Sequence, residues 1–267
     1  MIVERWARRV VEEELQRTVE LHDDQSQPSM FDLRVGPADA PAIAIECVGA
    51  VDPVRVETWN VGPAKGAMHL ALKGDWTVFV KRNAKVKNLG TRLEPILRQC
   101  EEPRRVVHIR VDWTLRHARP DLFADLQRLG VESATCYRWP GSGKVHVTME
   151  GTGGAVDEDG VTLPPWVGEF LAASRRADVL SKLTMSRAAE CQAFVIVDYG
   201  GATFSVESYL ASSLDPLPVA PPVLPPPLNG VWLVSTSNDR GIRWTGTHWK
   251  RFSAVWRGRS VEGGSAA

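Results

Sequence analysis

Apolar residues recur with a helical period over the first fifteen positions. Val3, Ala7 and Val10 share a stripe with Glu14, flanked by Trp6 and Leu15, so residues 2–15 are predicted to form an amphipathic helix. Glu14 is the unusual member, a carboxylate on the apolar side. The period then shortens to two. Residues 18–22, 30–35 and 42–48 are β-like runs separated by turn-rich stretches at 23–29 and 36–41, which gives an opening order of helix, strand, strand, strand.

Further along, the pattern predicts a strand at 76–81, a helix at 85–100, a strand at 106–111 and a helix at 120–129 closed by Gly130, the alternation of an α/β layer. Residues 133–139 and 144–149 flank Pro140-Gly141-Ser142-Gly143 and read as a hairpin, followed by a flexible acidic loop at 151–160. A helical stretch at 164–186 precedes a continuously apolar run at 194–198, which suits a strand covered on both faces, and 206–210 reads as helix. The proline cluster at 216–227 is predicted to run as an extended strap, free to link or to clamp. Beyond it, 231–235, 241–244 and 248–252 form a Trp-rich β-like tail, and 261–267 looks frayed. No internal repeat is visible. The expected organisation is an α/β body over 1–212, a Pro-rich linker over 213–228, a small β appendage over 229–258 and a disordered tail over 259–267.

Composition narrows the class. The 43% apolar and 24% charged content is that of a chain that buries a proper core. Lysine plus arginine equals aspartate plus glutamate at 32 each, so no global field draws the molecule to nucleic acid or an anionic membrane. Cationic excess is local: eleven lysines and arginines stand against four acids between positions 81 and 119. Helices commonly carry such charge as a solvated face, which is the simpler reading. Cys47, Cys100, Cys136 and Cys191 are widely spaced among apolar neighbours, as reduced core thiols would be. The first fifteen residues lack the apolar region of a signal peptide, and no stretch approaches the roughly 20 apolar residues of a membrane helix. A soluble, cytoplasmic protein with no membrane partner is the expectation.

The candidate chemistry lies in the opening strands. Alternation places Phe31, Leu33 and Val35 on one face and Asp32 on the other, while Glu46 shares a face with Ala42, Ala44 and Val48. If the two strands pair, Asp32 and Glu46 project from one side of the sheet, with Glu14 approaching from the helix. Converging carboxylates call for a cation, and a hard divalent ion such as Mg²⁺ or Mn²⁺ would polarise a phosphoryl group and activate water.

This arrangement resembles the PD-(D/E)XK nuclease superfamily, whose core opens helix, strand, strand, strand, with an aspartate in the second strand and E-x-K in the third. The resemblance implies a restriction-endonuclease-like core in a mixed sheet and metal-dependent action on nucleic acid. Asp32 and Glu46 would then be metal ligands and catalytic acids, and Glu14 the supporting acid of the helix. Phe31 stands where the motif has proline and Val48 where it has lysine, so the lysine would come from elsewhere; Lys65, Lys73 and Lys81 are candidates. The segments 21–24 and 29–35, with the later Gly-Val-Trp-Leu and Ile-Arg-Trp, are also similar to segments of uncharacterised actinobacterial proteins, a likeness that implies no activity. The alternative is a non-catalytic binding or regulatory protein that keeps the fold and holds a protein partner through its proline strap and Trp232, Trp244, Trp249 and Trp256.

Other motifs point to little. Gly141-Ser142-Gly143-Lys144 lacks both the first glycine and the final hydroxyl of a phosphate loop, leaving a turn. His22, beside Asp23 and Asp24, reads as a hydrogen-bonded structural residue, and the other histidines lack ligand spacing. No nucleophile elbow occurs.

Overall fold

A computed structural model describes residues 2–23, 29–61, 66–85, 87–101, 108–149, 156–198 and 200–255. The chain divides into two compact units. The first combines residues 1–51 with 153–267; the second, 52–152, is inserted between them. The expected continuous body over 1–212 is therefore interrupted after its third strand.

Helix α1 (Ile2–Leu15) opens the first unit as the periodicity predicts, but its buried stripe is Trp6, Ala7, Val10 and Val11, and Val3 is exposed. Strands β1 (Val19–Leu21), β2 (Leu33–Val35) and β3 (Ile43–Ala50) follow as an antiparallel meander with Leu33 opposite both Leu21 and Ile45. On β3, Ile43 and Ile45 face the core beneath α1, whereas Ala44, Val48 and Ala50 face the opposite core. That is the period-two split expected of a strand covered on both sides.

The second unit runs α2 (Pro53–Val61), β4 (Met68–His69), β5 (Asp75–Val80), α3 (Leu89–Glu101), β6 (His108–Arg110), α4 (Trp113–Ala118), α5 (Pro120–Leu129), β7 (Val131–Arg138) and β8 (Lys144–Met149). Its sheet has the order β4-β8-β5-β7-β6, with β5 and β8 parallel. Trp76, Val78 and Val80 from the central strand pack with Leu93 and Leu97 of α3 and Leu122 and Leu126 of α5. Gly130 ends α5 in the left-handed conformation at φ 76°, as its position after the apolar period predicts.

The predicted hairpin at 133–149 is not formed, because β5 lies between β7 and β8. Instead the connection crosses over the buried carboxylate of Asp75, whose Oδ1 accepts hydrogen bonds from Ser142 N at 2.6 Å, Ser142 Oγ at 3.1 Å and Lys144 N at 2.9 Å. The glycines permit this crossing. A Cβ at Gly141 would lie 2.5 Å from Asp75 N, and one at Gly143, where φ is 74°, would lie 2.1 Å from Leu70 O.

Back in the first unit come α6 (Leu163–Ala172), a 3₁₀ turn at Ser174–Arg176, α7 (Ala177–Met185), β9 (Glu190–Val197) and α8 (Phe204–Ala211). Strands β10 (Gly230–Ser235), β11 (Arg240–Trp244) and β12 (Trp249–Ser253) complete it. The sheet order is β1-β2-β3-β9-β10-β11-β12, with β3, β9 and β10 parallel. The result is a mixed α/β protein with two mixed sheets. The residues expected as a Trp-rich appendage are three of the seven strands of the first sheet: Trp232 is buried beside Phe194 in the core under α1, and Trp249 in the core under α6 and α7. Trp256 lies outside the described residues.

The proline segment clamps this unit rather than linking domains. Pro216 O accepts from Tyr209 Oη at 2.8 Å, Ala220 O from Trp249 Nε1 at 2.8 Å, and Leu214 O from Arg251 Nε at 2.6 Å. A chain of prolines cannot donate to a ladder, but its carbonyls accept freely, and here side chains of the neighbouring helix and strands supply the donors. Among the described residues, no helix is long and apolar enough to cross a membrane, and the four cysteines are free thiols.

Candidate functional site

The β2–β3 ladder begins with Leu33 opposite Ile45, so Asp32 and Glu46 each adjoin its first pair. Asp32 itself precedes the strand, its carbonyl accepting from His22 N at 2.8 Å and its Oδ2 from Cys47 N at 2.6 Å. The chain therefore turns at Asp32, and Phe31 departs from the expected alternation: it packs in the core opposite that of Leu33 and Val35, stacked on the His22 ring at 4.2 Å. His22 is a structural packing residue in this sense.

Glu46 is buried on the β3 face that looks toward α7, and Lys182 Nζ of that helix donates to its Oε1 at 2.7 Å. Val179 and Leu183 anchor α7 in the core, which leaves Lys182 at its edge. Arg176, just before α7, donates to Gly49 O at 2.8 Å and lays its guanidinium 4.6 Å over the Phe170 ring, fixing the start of the helix against the end of β3. Glu46 Oε2 is buried with no hydrogen-bond partner among the described residues.

The electrostatics follow from this crowding. Burial, reinforced by the charge of Asp32, pushes the Glu46 carboxyl up to about 7 against the pull of Lys182. Asp32 is raised too, chiefly by burial, although the Cys47 N–H and Lys182 oppose it. Burial works against the charge of Lys182, but Glu46, with Asp32 and Asp23 behind it, lifts its ammonium group above the usual range. The Cys47 thiol, buried beside Asp32 and Glu46, is driven well above its ordinary value, so it is no thiolate nucleophile at neutral pH. Glu4 and Asp23 also act on Asp32, and three carboxylates, those of Glu46, Asp32 and Asp23, act on Lys182.

Of the three acids expected from sequence, the fold brings Asp32 and Glu46 together but not Glu14. Glu14 lies 3.2 Å from Arg243 Nη2 and 2.7 Å from Lys250 Nζ, charges of β11 and β12. Glu4, ten residues earlier on α1, is the helix acid that acts on Asp32. Lys182 was missed as well. Lys73 and Lys81 belong to the second unit, and Lys65 lies outside the described residues. Among the described residues, no group of three or more His, Cys, Asp or Glu side chains is disposed to hold a metal ion.

Comparison with protein-family models, with curated proteins and with solved structures returned no match.

Proposed function

We propose that the first unit is a PD-(D/E)XK-like nuclease domain that hydrolyses nucleic acid phosphodiesters with Mg²⁺ or Mn²⁺, using Asp32 and Glu46 as the carboxylate pair and Lys182 as the lysine absent from position 48. The observation that carries this reading is the Asp32–Glu46–Lys182 cluster: two raised carboxylates and an ammonium group 2.7 Å from one of them. Helix, strand, strand, strand is also the opening order of the chain.

The donor set fits a small hard cation. Mg²⁺ is usually held by one or two carboxylates, its remaining positions filled by water and substrate phosphate, so a third protein ligand is not required. Asp32 and the unbonded Oε2 of Glu46 would hold it, and bound there it would polarise the phosphoryl group. Lys182 holds Glu46 in place and offers a proton donor and positive charge beside the reacting phosphate.

A second reading, a non-catalytic binding protein with this fold, is favoured by one observation: Lys182 already pairs with Glu46. The two separate in a cleavage assay on mixed DNA and RNA with Mg²⁺ or Mn²⁺. The nuclease reading expects cleavage by the wild type, abolished in Asp32→Ala with Glu46→Ala and reduced about 100-fold or more in Lys182→Met. No cleavage by the wild type, together with no calorimetric Mn²⁺ binding, leaves the binding protein.

A further inference from the structure

The local cationic excess of the sequence acquires a place in the second unit. A cleft of about 640 Å³ opens between α2 and the segment that joins β5 to α3. Val54 and Ala84 are apolar members of its lining, with Lys85, Lys87 and Arg92 and the amides of Asn83 and Asn88. Glu57 is the sole acid among the lining residues.

These three cations differ from the two arginines that flank them along the chain. Arg82, at the start of the same segment, is neutralised by Asp52 at 3.1 Å, and Arg98, further along α3, by Glu94 at 2.6 Å. Lys85, Lys87 and Arg92 make no ion pair among the described residues. Like charges gathered round one concavity repel one another and raise the potential inside it, an arrangement that an incoming anion relieves. Both ends of the segment are defined. Thr58 Oγ1 of α2 donates to Arg82 O at 2.6 Å, and Asn88 adopts φ 55° where the chain turns into α3.

We propose that this cleft binds phosphate groups, Lys85, Lys87 and Arg92 neutralising the oxyanion while the Asn83 and Asn88 amides supply neutral hydrogen bonds. The ligand is either a free phosphate compound or the backbone of a nucleic acid strand. The inference does not rest on the carboxylate cluster of the first unit, and its test leaves Asp32 and Glu46 intact.

The experiment compares full-length wild type, a cleft variant carrying Lys85→Ala, Lys87→Ala and Arg92→Ala, and a control carrying Arg116→Ala, Arg119→Ala and Arg128→Ala, which loses the same charge from exposed positions outside the cleft lining. Metal-free titration with inorganic pyrophosphate is followed by calorimetry, and with fluorescein-labelled oligothymidylate by polarisation; circular dichroism checks that both variants are folded. Binding weakened about 10-fold or more in the cleft variant but held in the control supports the site. A pyrophosphate effect identifies a free phosphate compound as ligand. An effect with oligothymidylate alone identifies a strand, and the slope of log K against log salt then falls by roughly 2. No binding of either probe by the wild type, or equal loss in both variants, overturns the proposal.

Discussion

Each unit buries carboxylates against its sheet, and the two do so in opposite ways. In the second unit Glu101 accepts from Lys73 N and Gly74 N, each at 2.9 Å, and from Trp76 Nε1 at 3.1 Å, while Asp75 takes the amides of the β7–β8 crossing. The Lys144 and Ser142 N–H groups hold the Asp75 carboxyl below the usual range. These acids have their charge answered by fixed backbone dipoles and serve to tie turns down. In the first unit the charge of Asp32 bears on Glu46, an oxygen of Glu46 is left unbonded, and both are raised. A buried carboxylate saturated by amides is part of the scaffold; one on which another carboxylate bears has capacity left for a ligand.

The largest effect expected from this contrast is in the second unit. Glu101→Ala strips acceptors from two backbone N–H groups and the buried indole of Trp76, and should lower stability by roughly 3 kcal/mol or more in urea denaturation. A loss below about 1 kcal/mol would mean that these amides find water instead, and the comparison would fail on its structural side.

The pH dependence sharpens it. The folded-state value for Glu46, about 7, exceeds the 4.5 of an unperturbed glutamate, so between them the native state keeps a proton that the unfolded chain has released. Stability contributed by Glu46 therefore falls as pH rises through that window. Glu46→Gln, which is never charged, escapes the penalty and should gain stability relative to wild type between about pH 5 and about pH 8, read from urea midpoints at each pH. Asp75 has the opposite sign: with its folded value depressed, its contribution is present above the unfolded value of 3.8 and lost on acidification. A Glu46→Gln difference that stays flat with pH would put Glu46 among the answered carboxylates.

Much of this was legible in the sequence, and the failures share a cause. The opening order of helix and three strands, the α1 helix and the placing of Glu46 on the face of Ala44 and Val48 all follow from periodicity, which is local. So does the nearness of Asp32 to Glu46, since a short meander keeps adjacent strands together. Lys182 is different. It reaches Glu46 only because β9 returns parallel to β3 after an insertion of about a hundred residues, bringing α7 over that face. The choice between link and clamp for the proline strap, and the place of the last three strands, are hidden for the same reason: a short Trp-rich tail gives no sign that β10 joins β9.

Glu14 supplies the smallest effect and the cleanest control. Helical periodicity cannot say which end of a helix meets which strand; Glu4 and Glu14 lie about 15 Å apart along α1 at the usual rise, and only the first acts on Asp32. Glu14 sits between Arg243 and Lys250, with Arg243 also stacked 4.6 Å over Trp232. Glu14→Gln keeps the shape and removes the charge, so it should cost about 1 kcal/mol, less at high salt, because Lys250 is half exposed. Neither cleavage nor Mn²⁺ binding should change. An effect of Glu14→Gln on either, at unchanged stability, would return this acid to the carboxylate cluster and remove Glu4 from it.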